Sequence, residues 1–115
     1  RRSVRDYLYR GCSIAKTLKL WPNVLKGEET WIYPNSERAH IVINTSVYYE
    51  LACLRDYALC VLSDTNEDID AESYSLILQC NRFLTWISGV SADIIPNTSV
   101  IMEFYPGGSI YNDEN

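Results

Sequence analysis

The stretch Arg1-Arg2-Ser3-Val4-Arg5-Asp6-Tyr7-Leu8-Tyr9-Arg10-Gly11 crowds four arginines and one aspartate into three helical turns. Residues three or four apart on a helix are neighbours, so Arg1, Arg2 and Arg5 form one cationic cluster, while Arg2, Asp6 and Arg10 stand at successive i,i+4 steps. The single acid is thereby placed to steady the arginine on either side of it. Gly11 follows where a helix closes in the left-handed conformation that glycine adopts without strain. So charged a segment offers no apolar core, and its value lies in holding something charged. The alternative is a solvated charge ladder, in which each pair stabilises by only about 0.3–0.5 kcal/mol.

The rest of the chain favours the first reading. Residues 1–26 hold seven cations against Asp6 alone, whereas residues 27–115 hold three cations against fourteen acids. A basic head on an acidic body is a local anion site rather than a diffuse nucleic-acid surface, which the acidic body would repel. The planar fork of arginine suits phosphate oxygens in particular.

At 115 residues the chain has the length of one domain, and 47% hydrophobic with 22% charged residues is ordinary for a globular protein. No apolar run approaches membrane-spanning length and no signal peptide opens the chain, so the expectation is a soluble, cytoplasmic protein. Cys12, Cys53, Cys60 and Cys80 include no C-x-x-C pair and histidine occurs once, so a zinc site is not expected. Cys53 and Cys60 lie about 10 Å apart along one expected helix, too far for a disulfide, and buried reduced thiols are expected.

Along the chain, Ser13 is a cap for a helix with Ile14, Leu18 and Trp21 inward. Pro22 reads as a kink or restart leading into a second helical stretch with Val24, Leu25, Trp31 and Ile32 on its buried side. Pro34-Asn35-Ser36-Glu37 reads as a turn. Ala39-His40-Ile41-Val42-Ile43-Asn44 is β-branched and apolar without alternation, the pattern of a strand buried on both faces of a sheet, with His40 packed inside it. Such a strand needs neighbours, supplied either by the C-terminal segment or by sheet partners outside these 115 residues. Thr45 and Ser46 are cap candidates for a helix with Val47, Leu51, Leu54, Ala58 and Val61 inward and Glu50 near its positive end. Asp70 is placed to cap a further helix with Leu76, Cys80, Phe83 and Ile87 inward, ended by Gly89, and the two pair as an antiparallel hairpin. Ile94 to Ser99 make a turn, Val100 to Tyr105 fit either strand or helix, and Ile110 to Asn115 read as a frayed tail.

No G-x-x-x-x-G-K-[ST] phosphate loop and no G-x-S-x-G elbow occurs, and His40 has no nucleophile to serve. The carboxylate pairs Glu28-Glu29 and Asp68-Asp70 read as solvated. The arginine stretch, Arg1-Arg2-x-x-Arg5-Asp6-x-x-x-Arg10-Gly11, resembles the lid of uridine kinases, members of the P-loop nucleoside kinase family. The likeness continues through Thr17-Leu18, Trp21, the helix to Pro34, and Ala39 to Ile43, which resembles the family's last core strand, although His40 stands where the family usually has aspartate. Trp21-Pro22-x-Val24, Gly27-Glu28, Tyr33-Pro34, Tyr49-Glu50-Leu51-Ala52, Ile95 to Ser99, Glu103-Phe104 and Gly107-Gly108-Ser109 resemble the C-terminal region of a bacterial subfamily that has a threonyl-tRNA-synthetase-like N-terminal part.

The resemblance implies a mainly α chain with one or two short strands, the C-terminal fragment of an α/β P-loop kinase. Residues 1–44 would supply the lid and last core strand, and residues 45–115 the helical hairpin and tail, packed with the first part. The implied activity is transfer of the γ-phosphoryl of ATP, with magnesium, to the 5′-hydroxyl of a nucleoside such as uridine. The P-loop and catalytic carboxylate would come before Arg1, so this fragment is expected to need that core as partner, to carry no cofactor and to be inactive alone. Arg1, Arg2, Arg5 and Arg10 would bind phosphate, Arg5 and Arg10 acting in catalysis and Asp6 orienting them, with no metal ligand here; Lys16 and Lys19 are surface residues. Separated from a core, the arginines are expected to be exposed and unemployed. A different class of function also fits: a helical interaction or regulatory module appended to a kinase-like protein. The helices from Ser46 to Gly89 and the nine tyrosines speak for it, and self-association is its natural outcome.

Overall fold

A computed structural model describes residues 1–65 and 69–107. Its helices are α1 (Arg2–Arg10), α2 (Ile14–Gly27), α3 (Tyr33–Ser36), α4 (Glu50–Ser63) and α5 (Ala71–Thr85). A π-helical turn, Glu28–Ile32, joins α2 to α3, and 3₁₀ turns occupy Ala92–Ile94 and Val100–Phe104. The chain is therefore mainly α, as expected, and no strand occurs among the described residues. Asp68, Gly108, Ser109 and the tail from Ile110 lie outside those residues.

Local chemistry sets most of the helix ends. Gly11 closes α1 at φ 59°, and the amide of Cys12 donates to the Asp6 carbonyl at 2.9 Å, satisfying a carbonyl that the helix end would otherwise orphan. Ser13 Oγ accepts from the Lys16 amide at 3.2 Å, and Asp70 Oδ1 accepts from the Ser73 amide at 2.9 Å. Both are the side-chain caps that the sequence places there. Thr45 and Ser46 do not cap α4. The helix starts at Glu50 instead, because Asn44 Oδ1 draws the Ser46 amide into a local turn at 2.9 Å. Pro22 lies inside an unbroken α2, and Pro34 sits in the first turn of α3 rather than in a simple turn.

α1 packs against α2, α4 and the Val100–Phe104 turn, while α5 packs against α4 and α2. The hairpin of α4 and α5 is antiparallel, since Arg55 Nε near the start of α4 donates to the Leu84 carbonyl near the end of α5 at 3.2 Å. One core cluster gathers Ile14, Val61, Leu62, Ile77 and Leu84; a second gathers Cys53, Leu54, Ile95, Ile101 and Phe104. The charged helix α1 is not peripheral to this core. Val4 is only 1% exposed, a burial that stabilises by roughly 1.5–3 kcal/mol. That corrects the expectation that the arginine segment offers no core.

Other corrections follow from packing. In α5 the buried face is Ile77 and Leu84, with Cys80 and Ile87 partly covered, whereas Leu76 and Phe83 face outward. The helix ends at Thr85, four residues before Gly89. In α4, Leu51 is exposed and Cys53 and Leu62 take core positions. Leu25, Trp31 and Ile32 are exposed, not buried, Trp31 at 72%. The four cysteines are free thiols, but only Cys53 is buried and Cys60 is exposed.

The largest correction concerns residues 39–44. Ile41, Val42 and Ile43 are 79%, 82% and 77% exposed, and His40 is exposed with them. Three consecutive exposed residues lie bare on both faces, because neighbouring side chains of an extended segment point opposite ways. The composition is that of an interior strand, but a strand holds only when another supplies its hydrogen bonds, and none of the described residues does.

Candidate functional site: the arginine cluster of α1

The i,i+4 ladder exists, and its centre is buried. Asp6 is 6% exposed and takes three arginines: Arg2 Nε at 3.4 Å, Arg5 Nε at 3.2 Å and Arg10 Nη1 at 3.1 Å. Burying a carboxylate is costly unless it is paired, and three guanidinium groups do the pairing here. Asp6 thus orients the arginines, as its position in the sequence implies.

Two further carboxylates reach the cluster from distant parts of the chain. Arg1 engages Glu50 of α4 with Nε on Oε1 and Nη2 on Oε2, a fork-to-fork pair, and its Nη2 also approaches the Thr45 carbonyl at 3.4 Å. Arg5 Nη1 donates to Glu103 Oε1 at 3.3 Å. Phe104 lies beneath both cations, its ring centre 5.7 Å from the Arg1 guanidinium carbon and 5.9 Å from that of Arg5, within cation–π range. The Arg1 fork holds the Glu50 carboxyl below the usual carboxylate range.

These contacts correct the expectation that the arginines are unemployed, whereas Arg1 and Arg10 are exposed as expected. Arg1 and Arg5 are engaged by Glu50 and Glu103, whereas the side chains of Arg2 and Arg10 remain 41% and 53% exposed. Four arginines meet three carboxylates, so the cluster keeps an excess of positive charge. A guanidinium carries five N–H donors, and one carboxylate shared by three arginines cannot satisfy them all. The solvent faces of Arg2 and Arg10 therefore remain able to receive an oxyanion. Lys16 and Lys19 are exposed residues of α2.

Nearby groups support the cluster rather than add chemistry. Tyr9 Oη donates to the Tyr105 carbonyl, and Tyr57 Oη donates to Tyr105 Oη at 3.2 Å. The first bond braces α1, and the second α4, against the residue that follows the second 3₁₀ turn. Burial, with the Tyr57 bond, pushes the Tyr105 phenol up to about 12. Beside the Arg1–Glu50 pair, an apolar groove of about 240 Å³ runs between α1, α4 and α5, lined by Val4, Leu54, Leu62 and Leu84. Apart from Arg1, Ser3 and the weakly donating thiol of Cys80, the side chains of its walls are apolar or, at Glu50, acidic. Among the described residues, no group of three His, Cys, Asp or Glu side chains could hold a metal, and no helix is long and apolar enough to cross a membrane.

Sequence reading alone does not find Glu50, Glu103 and Phe104 as parts of the site. Glu50 reads as a helix-dipole residue and Glu103-Phe104 only as part of a resemblance, because the contacts span 49 and 98 residues and leave no local pattern. No protein-family model, no curated protein and no solved structure matches this chain.

Proposed function

We propose that the chain is the C-terminal portion of an ATP-dependent nucleoside kinase of the uridine-kinase-like class, whose helix α1 closes over the phosphates. The observation that carries this reading is the buried Asp6 carboxylate gathering Arg2, Arg5 and Arg10 while the forks of Arg2 and Arg10 stay half open to solvent. Guanidinium groups held in this way need little reorganisation when charge grows on a transferring phosphoryl group, which is how electrostatic catalysis gains its effect. In this reading Arg5 and Arg10 act on the transition state, Arg1 and Arg2 complete the phosphate site, and Asp6 is a positioning residue. ATP, magnesium and the nucleoside bind mainly to an upstream core, in the cytoplasm, and the core packs on this chain.

The test is turnover of ATP and uridine by the protein that contains this chain together with its kinase core. Arg5→Ala and Arg10→Ala are each expected to lower kcat at least tenfold, about 1.4 kcal/mol of transition-state stabilisation, with the KM for uridine little changed. Wild-type kcat in both variants would defeat the proposal.

A second reading, a helical interaction or regulatory module, is favoured by a different observation. Trp31, Ile32, Tyr33, Ile41, Val42 and Ile43 leave large apolar side chains in solvent along one short part of the sequence. Isolated exposed apolar residues are ordinary, but such a run is the signature of a contact surface. Sedimentation of the isolated chain separates the readings: concentration-dependent dimers that Trp31→Ser/Val42→Ser abolishes favour the module, and a strict monomer speaks against self-assembly.

A further inference from the structure

We infer that Glu50 and Glu103 are internal competitors for phosphate, occupying Arg1 and Arg5 until a polyphosphate displaces them. The inference rests on the phosphate-site reading of α1 and adds to it a resting state and the residues that impose it.

The geometry of the Arg1–Glu50 pair is the main argument. Both carboxylate oxygens of Glu50 face the Nε and Nη2 edge of Arg1, the same edge with which a guanidinium grips two oxygens of a phosphate. A phosphate cannot take that edge while Glu50 holds it. Arg5 is engaged on two sides, by Asp6 at 3.2 Å and by Glu103 at 3.3 Å. The Phe104 ring covers a third side of this cation pair and leaves the carboxylates as the exchangeable partners.

The three carboxylates differ in kind. Asp6 belongs to α1 itself and is almost fully buried, so it remains with the arginines in any arrangement of the helix. Glu50 and Glu103 come from α4 and from the Val100–Phe104 turn, with their side chains 14% and 31% exposed. They tie the first turns of α1 to two other elements. Exchanging them for phosphate oxygens trades two ties within the fold for contacts to the ligand. The anion's affinity is thereby reduced by whatever those ties contribute, as for any ligand whose competent state must first be opened.

The test uses inorganic tripolyphosphate as probe, titrated calorimetrically into the chain at low salt. Glu50→Gln/Glu103→Gln keeps side-chain size and removes both competing charges, and tripolyphosphate should then bind about tenfold tighter than to wild type. Because the variant is also less acidic, the control is Glu29→Gln/Glu72→Gln, which neutralises two exposed carboxylates outside the cluster. The control should change affinity by less than about threefold. Adding Arg1→Ala to the double variant should abolish most of the gain. If wild type binds through its arginines and Glu50→Gln/Glu103→Gln binds no tighter than the control, the inference is wrong while the phosphate-site reading survives. If none of the proteins binds tripolyphosphate, both fail. Circular dichroism reports whether the double variant is folded. Should it not be, the single variant Glu103→Gln, at the more exposed position, carries the same test with a smaller expected gain of about threefold, and no gain over wild type refutes the inference.

Discussion

Asp6→Asn isolates the charge on which the arginine helix depends. The amide has the same shape as the carboxylate, so no cavity opens, but its NH₂ group faces guanidinium donors and its oxygen accepts from only one or two of them. Breaking a buried ion pair by removing one partner costs about 3–5 kcal/mol, because the other charge is left buried. Here Arg2 and Arg10 can turn outward, their side chains being 41% and 53% exposed, so each loses only about 0.5 kcal/mol. Arg5, with its side chain 19% exposed, cannot escape so readily, yet it keeps Glu103. The expected loss therefore falls below that range, about 2 kcal/mol, or roughly 8 °C in Tm for a chain of this length. Urea unfolding followed by circular dichroism measures it directly, and a midpoint shift without a change in slope identifies a loss of native stability. A difference that persists in about 1 M salt marks the pairing as buried. If Asp6→Asn loses less than about 1 kcal/mol, the carboxylate is a solvated member of a charge ladder and the buried-centre argument is wrong.

Other perturbations follow from the same contacts. Gly11→Ala should cost about 1 kcal/mol in urea unfolding, purely from the φ of 59°, since an added Cβ meets nothing within 4 Å; a neutral result would show that α1 does not end in that conformation. Thr17 buries its Oγ1 without a hydrogen-bond partner among the described residues, so the isosteric Thr17→Val should raise stability by about 1 kcal/mol, and a loss would mean that the hydroxyl has a partner. At alkaline pH, Tyr105 keeps its proton to about 12 in the native state while the unfolded chain releases it near 10. The unfolded state then binds fewer protons, so Tm should fall as pH rises through that interval, and Tyr105→Phe should lose less over it. In acid the sign is opposite: Glu50, held below its ordinary value of 4.5 by Arg1, contributes stability above that value and loses it as pH falls, a loss that Glu50→Gln should not show.

What was legible in the sequence divides along the range of the interaction. Gly11, Ser13 and Asp70 announced helix ends because a cap lies within a few residues of what it caps. The Arg2-Asp6-Arg10 ladder was legible for the same reason, helix periodicity alone bringing those side chains together. The inward face of α5 was not, because Leu76-Ile77-Leu78 offers apolar residues on several faces at once and only packing against α4 and α2 selects Ile77. Nor could composition reveal that Ile41, Val42 and Ile43 find no strand to pair with among the described residues, since a strand is a property of two segments and the pattern describes one. Glu50 and Glu103 were invisible as arginine partners because the helices that deliver them fold back across 49 and 98 residues. The same blindness hid the structural weight of α1: its four arginines dominate its composition, yet Val4 is buried and Tyr7 packs against the first core cluster.

An oxyanion site at the outer forks of Arg2 and Arg10 is put to the test by titrating inorganic tripolyphosphate into the wild-type chain and into Arg2→Ala/Arg10→Ala. Saturable binding by wild type that weakens with added salt, and that falls at least tenfold in the variant, is the predicted result. No binding by wild type, or binding that the loss of both arginines leaves unchanged, would contradict it.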